Sequence, residues 1–451
     1  MPDLRRADVP RSQAAGCRRG AGGRHSMSET IAHRIGYGYR RRLATLLPAI
    51  DLAYFMLVWP LVYARYYVPA DLSTGPIMEA QPGLLNRLFF PGMAALSVIL
   101  LIAERHRIGR FQLFGSCLLI AFFGYLGLTA AWALAPAMTL TRLSLYILLL
   151  IGLVPALLLA DRMDDILRPM FWVTAVAVAV NVASIAVVHT TSIGFPGIYS
   201  HKNTLGANAA IAGLFAIYAL TRADHRVRVA GFLCLPAVVG LLLISQSKTS
   251  LGMMVLAPAT ALFAAGVRRR LRIALPILMV VLTIPAAFLL GGGVPGFDYR
   301  DVSLLVSGDP TFTGRTEIWK FTAAHIAERP LTGWGFQSFW GIGPASPAAR
   351  MTDTFIARTP HSHNGYLDMA LEGGMIALSL FLMIVLMIAW WIDRLVDRDA
   401  GAGILMTSCL LYTLWQNLLE TDWLHGMTTS NVLLMLMMLS AVTIRQGRAL
   451  T

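Results

Sequence analysis

The stretch "HSHNGYLDMALEGG", residues 361–374, brings His361, His363, Asn364, Asp368 and Glu372 into twelve positions. On a helix, Asn364, Asp368 and Glu372 recur at i, i+4 and i+8 and share one face. His361 and His363 fall at or just before its N-terminus, where free N–H groups and the helix dipole favour anions. A histidine beside carboxylates can serve as a general base, because its proton exchanges near neutral pH. His363 is the candidate base, with Asp368 or Glu372 to orient it. Helix capping and polar anchoring at a membrane edge account for Asn364 better than for the whole cluster.

Three further groups offer cations. "IYSHKNTLGAN" (198–208) sets His201, Lys202 and Asn203 just before an apolar run. In "SQSKTSLG" (245–252), Lys248 is the only charge before the basic "VRRRLR". "MTLTRLSLY" places Arg142 at the end of another apolar run, and Arg315 opens "GRTEIWKFTAAHIAERP". Snorkelling to lipid headgroups accounts for Arg65 and Arg87. Lys202 and Lys248, flanked by Ser, Thr, Asn and His, instead suit a held phosphate or pyrophosphate. One more polar group, "ETDWLH" (420–425), falls on the same side.

Membrane helices must position all of these. The 451-residue chain is 56% hydrophobic and 14% charged, where a soluble domain carries about 25% charged residues. Twelve apolar runs approach the roughly 20 residues that span a bilayer as helix. They cover 46–66, 88–103, 111–133, 139–160, 168–189, 204–221, 227–244, 250–266, 271–291, 373–393, 401–419 and 426–444. The expected fold is therefore all-α and polytopic, with about twelve transmembrane helices. With the N-terminus in the cytoplasm, the inside segments hold 26 of the 37 Lys and Arg, as the positive-inside bias requires. Both termini are then cytoplasmic, and the net charge of +13 is chiefly a topology signal rather than a nucleic-acid footprint.

Residues 1–42 read as a disordered basic tail with ten arginines and no signal peptide, and Met27 is an alternative start. Residues 43–290 hold nine spans, and 373–451 hold three more with the C-terminal tail. Between them, residues 291–372 form a long outside loop. Within it, 314–330 reads as an amphipathic helix stopped by Pro330, and "LTGWGFQSFWGIGPASPAAR" as an irregular surface segment. From Asn364 a helix resumes towards the tenth span, and Gly373-Gly374 can kink it. No outside cysteine framework, metal-ligand spacing or phosphate-binding loop is present, so no cofactor or metal is expected.

"YSHKNTLG", "SQSKTSLG", "GRTEIWKFTAAHIAERPLTGWG" and "HSHNGYLDMALEGGMIAL" occur in this order, with the long loop before the last three spans. Together they resemble the O-antigen ligase and polymerase superfamily, in particular its exopolysaccharide-polymerase branch. The resemblance covers roughly residues 195–385. It implies a GT-C-type glycosyltransferase of the bacterial inner membrane, acting on undecaprenyl-pyrophosphate-linked glycans at the periplasmic face. Where the family often has Arg after "SxS", this chain has Lys248, a point charge without the bidentate fork. The acceptor is another lipid-linked repeat for a polymerase, which "SHKNTLG" favours, or a lipid A core sugar for a ligase. A chain-length regulator is a further potential partner. A transporter or flippase is the rival class, but it needs polar residues near the midplane, and here only Asp51 and Asn181 qualify. A membrane scaffold would not need Lys202, Lys248 and His363 on one side.

Overall fold

A computed structural model describes residues 22–63, 84–106, 110–192, 194–290, 314–352 and 354–444. Residues 1–21 of the basic tail, Arg65, the first part of the long loop (291–313) and the last seven residues lie outside the described residues. All twelve apolar runs coincide with helices. These are α1 (Gly22–Ala53, continued by a π-helical turn at Tyr54–Val58), α2 (Leu84–Ala103), α3 (Leu113–Leu128) and α4 (Pro136–Leu159). They continue with α5 (Asp164–Ser184), α6 (Lys202–Leu220), α7 (His225–Ser245), α8 (Lys248–Leu271) and α9 (Leu275–Leu290). Beyond the loop helix α10 (Arg315–Glu328) come α11 (Gly365–Arg398), α12 (Ala400–Gln416) and α13 (Thr429–Val442). A two-residue antiparallel pairing of Arg110–Phe111 with Thr443–Ile444 is the only named strand pair among the described residues. This is an all-α polytopic membrane protein.

Among the described residues, nine helices are long and apolar enough to cross a membrane. α9, α12 and α13 are shorter, with 16, 17 and 14 residues. Fourteen residues rise only about 21 Å against a hydrocarbon core of about 30 Å. Every residue of α13 is buried, so its apolar surface meets protein all round, as a core helix does.

The tail differs from the expectation of disorder. α1 already begins at Gly22, and its later arginines are used as anchors. Arg40 Nε donates to Glu104 Oε1 at 2.6 Å, and Arg41 pairs with Asp161 and Asp165 at 2.6 and 2.9 Å.

The chain runs back and forth, so polar segments collect at two ends. At the arginine-rich end, Arg222 forks onto both Asp399 oxygens at 2.8 Å, and Arg168 bridges Asp164 at 2.7 Å. Asp399 also caps α12 by accepting from the Ala402 N–H. Nearby, Arg268 ties α8 to Asp393 and Asp397 of α11 at 2.6 and 2.7 Å.

At the other end lies the loop. α10 stops before Pro330, but residues 331–346 are not a surface segment. Phe336, Phe339 and Trp340 are all fully buried, the last two in a small core with Ile318, Ala348, Ile356 and Leu371. The Trp340 indole can be buried because its N–H donates to Asp368 Oδ1 at 2.9 Å.

α11 breaks at Gly374, whose backbone (φ 67°, ψ −174°) is not helical. Residues 330–335 take up the backbone groups that the break would orphan. Met375 N–H donates to Pro330 O at 2.9 Å, Trp334 N–H to Leu371 O at 2.9 Å and Gly335 N–H to Glu372 O at 2.8 Å. The approach is close enough that a Cβ on Gly374 would lie 2.0 Å from Leu331 O. The loop is spliced into the helix.

Candidate active site

The break leaves Gly365–Gly373 as a short rigid helix facing the loop. Asn364 caps it, its side-chain oxygen accepting from the Tyr366 and Leu367 N–H groups at 3.0 and 3.1 Å. Its amide donates to Leu418 O at 3.2 Å. Asp368 is 3% exposed and accepts from Trp340 Nε1, from the Ser362 N–H at 3.0 Å and from Thr421 Oγ1 at 2.5 Å. A buried carboxylate needs such donors, and here they bind the loop, the 361–364 turn and the 417–428 turn together. Both Asp368 oxygens are thereby committed, so it does not orient His363.

The partner of His363 is Glu420. His363 Nδ1 lies 2.9 Å from Glu420 Oε2, and Arg315 Nη2 donates to Glu420 Oε1 at 2.5 Å. Burial alone would raise the Glu420 carboxyl; the His363 hydrogen bond and the Arg315 charge overcome it and hold it below its ordinary 4.5. With Nδ1–H donated to that carboxylate, His363 presents the Nε2 lone pair, the arrangement of an oriented general base. His363 has a left-handed backbone (φ 56°), a conformation that costs about 1–3 kcal/mol outside glycine and concentrates at functional sites.

His361 Nδ1 accepts from the His363 backbone N–H at 3.2 Å. The His361 ring lies 4.3 Å from that of His363 and 5.2 Å from that of His425. Burial, then the neighbouring His363, His425 and Arg315, pushes its pKa well below 6.5, so His361 is neutral at physiological pH. His201 caps α6, its Nδ1 accepting from the Asn203 N–H at 3.2 Å. Burial lowers its pKa, opposed by Glu420 and assisted by Lys202 and His363, which places His201 within electrostatic reach of the His363–Glu420 pair.

Lys202 and Lys248 are the first residues of α6 and α8. Gly206 packs so closely on Ser247 that a Cβ there would lie 2.5 Å from the Ser247 side chain. The two lysines therefore flank one corner of the site end. Arg142 donates to Gln337 O, beneath the loop. Among the described residues no three His, Cys, Asp or Glu side chains converge as a metal site requires.

The arrangement sets a histidine, a buried carboxylate and an arginine around one turn. Residues 237–382 match a family model described as O-antigen ligase. That part of the chain is similar to the O-antigen ligase family. It is also 30% identical, over 217 residues, to the exopolysaccharide production protein ExoQ of Rhizobium meliloti (strain 1021). The aligned part is 46% of this chain and 48% of that protein, so the match spans about half the length of the curated relative. The region matching the O-antigen ligase family contains Lys248, Arg315, His361, His363, Asn364, Asp368 and Glu372. It excludes Arg142, His201, Lys202 and Asn203, and also Glu420 and His425. Those last two are the site residues that sequence reasoning did not assign. "ETDWLH" stood out as polar, but Glu420 is 57 positions from His363, and no periodicity links the two.

Proposed function

We propose that this chain is a glycosyltransferase that lengthens undecaprenyl-pyrophosphate-linked oligosaccharides at the outer face of the bacterial inner membrane. The observation that carries this reading is the Arg315–Glu420–His363 alignment at the end of the molecule that also holds Lys202 and Lys248. The acceptor hydroxyl gives its proton to His363 Nε2 as its oxygen attacks the anomeric carbon. The bond to the pyrophosphate breaks, and its electron pair leaves with the pyrophosphate oxygen, opposite the attacking oxygen, so the anomeric configuration inverts. Lys202 and Lys248, with Arg142 and the free donors of Arg315, offset the charge that develops there, a contribution that is large in group transfer. His201, Asn203 and His361 line the donor path. Asp368 and Asn364 take scaffold roles, holding the turn that carries His363.

The ExoQ relative supports the polymerase reading, in which the acceptor is a second lipid-linked repeat. The family's description supports a ligase, in which it is a lipid A core sugar. In both, the bilayer supplies the donor laterally and both termini are cytoplasmic. A chain-length regulator would act on the polymerase, and no nucleic acid takes part.

Purified protein in liposomes, given the lipid-linked repeat of its own host with EDTA and no nucleotide sugar, tests the reading. Longer lipid-linked chains are expected without lipid A core. Product only on added core would make it a ligase, and uptake of glycan without a new glycosidic bond would make it a transporter. His363→Ala should lower transfer by roughly 10²–10⁴-fold at matched protein and substrate levels.

A further inference from the structure

Glu420 and His363 stand on separate turns, one after α12 and one before α11, so their 2.9 Å contact holds only while those turns stay docked. Gly365 makes the joint with its backbone. Its N–H lies 2.9 Å from Asn417 O and 3.2 Å from Glu420 O, and its own O accepts from Trp423 Nε1 at 3.0 Å. A Cβ on Gly365 would lie 2.7 Å from that indole nitrogen and closer still to Asn417 Oδ1. Glu420 is therefore tied to the His363 turn by its carbonyl as well as by its side chain. Glu372, expected to orient His363, is not the residue at its Nδ1. It is 4% exposed, and its Oε1 has no hydrogen bond among the described residues.

Asn417 sets the shape of the Glu420 turn. It follows the last residue of α12 and is fully buried. Oδ1 accepts from the Asp422 and Trp423 N–H groups at 2.8 and 3.1 Å, and Nδ2 donates to Thr413 O at 2.8 Å. One amide supplies both roles: it closes residues 417–423 into a loop around Glu420 and anchors that loop on the last turn of α12. Trp423, 2% exposed, then packs its ring 4.6 Å from those of Tyr366 and Phe381 of α11. Apolar contact thus reinforces the polar clamp.

We infer that Asn417 is a positioning residue for the transfer: it acts through Glu420 to hold His363 with Nδ1 protonated and the Nε2 lone pair turned to the acceptor hydroxyl. The inference rests on the glycosyl-transfer reading above. Which nitrogen of a neutral imidazole carries the proton is set by the bond that the other makes. The other neighbours of the pair cannot replace Glu420 at Nδ1. Arg315 offers only donors, and His361 Nδ1 is taken by the His363 backbone N–H. Opening the 417–423 loop therefore removes the acceptor that fixes the ring.

Two measurements on the full chain test this. In nanodiscs, 15N spectra of histidine-labelled protein, with the His363 signals assigned from His363→Gln, should show its neutral ring as Nδ1–H in the wild type. Asn417→Ala should move it towards Nε2–H. Asn417→Asp, which keeps an acceptor for both N–H groups, should leave it as Nδ1–H. An unmoved tautomer in Asn417→Ala, or the same shift in both variants, overturns the inference whether or not the samples are active. In liposomes with the host's lipid-linked repeat, Asn417→Ala should lower kcat about 10²-fold, the scale of a small misplacement at a reacting centre, with KM unchanged. Asn417→Asp should restore most of that loss, and a wild-type kcat in Asn417→Ala overturns the positioning role. Trp423→Phe keeps the ring and removes only the N–H to Gly365 O, so it serves where Asn417→Ala does not fold. It should move tautomer and kcat the same way by less, and wild-type values of both overturn the inference. Absence of product from wild type at every pH overturns the transfer reading, while the tautomer decides separately what Asn417 does to His363.

Discussion

His363 reaches Glu420 from a left-handed backbone, and that strain is stable only because its neighbours fix the turn on both sides. The value of Glu420 lies in its charge: it fixes the His363 tautomer and balances Arg315. Glu420→Gln keeps the shape and removes both effects. Transfer should fall roughly 10²–10⁴-fold with little change in KM, and an unaltered kcat would show that His363 does not need the carboxylate. The same residues set an acid limit to stability. His361 is held neutral by burial, so its folded pKa lies below the ordinary 6.5, and the unfolded chain binds more protons as pH drops below that value. Glu420 adds a second loss of the same sign below 4.5. Thermal melts of the solubilised protein should thus decline as pH falls below 6.5. His361→Gln should flatten the first decline, and a decline that survives this change would assign it to other groups.

At the scale of elements, the splice of residues 330–335 into the break of α11 positions Glu372 and shields the turn carrying His363. It depends on Gly374 and Gly333, whose missing Cβ atoms would lie 2.0 Å from Leu331 O and 2.5 Å from the Glu372 carbonyl carbon. Gly374→Ala should cost at least about 1–3 kcal/mol from its positive φ alone, and more from the clash. Gly240→Ala, within α7 with nothing within 4 Å, should stabilise by about 0.5–1 kcal/mol. Denaturation midpoints of the two variants check this, and equal values would mean that the splice is not rigid. The helices were legible in the sequence because apolar length is a local signal, as were the stop at Pro330 and the kink at Gly374. The burial of Phe336, Phe339 and Trp340 was not, since it depends on Asp368 supplying an acceptor from 28 positions away. Glu420 escaped for the same reason: pairing across the bundle leaves no spacing to read. The helical start of α1 was hidden by glycines and arginines, which read as tail until Glu104, Asp161 and Asp165 provide partners for Arg40 and Arg41.

Across the whole molecule, charge is sorted by end. Arg222 and Arg268, with Asp399, Asp393 and Asp397, staple the arginine-rich end, whereas the opposite end holds Arg315 against Glu420 beside His363. Their placement also follows from orientation: Lys and Arg near helix ends favour the cytoplasmic side. The consequence can be measured directly. In a background with Cys17, Cys117, Cys234 and Cys409 replaced, Glu328→Cys, exposed at the end of α10, should react with a membrane-impermeant maleimide on intact spheroplasts. Arg226→Cys, exposed at the start of α7, should react only after permeabilisation. The reverse pattern would put His363 and Glu420 in the cytoplasm. A donor already carried to the outer leaflet could then not reach them, and the proposed reaction would have to draw its glycan from the inner leaflet instead.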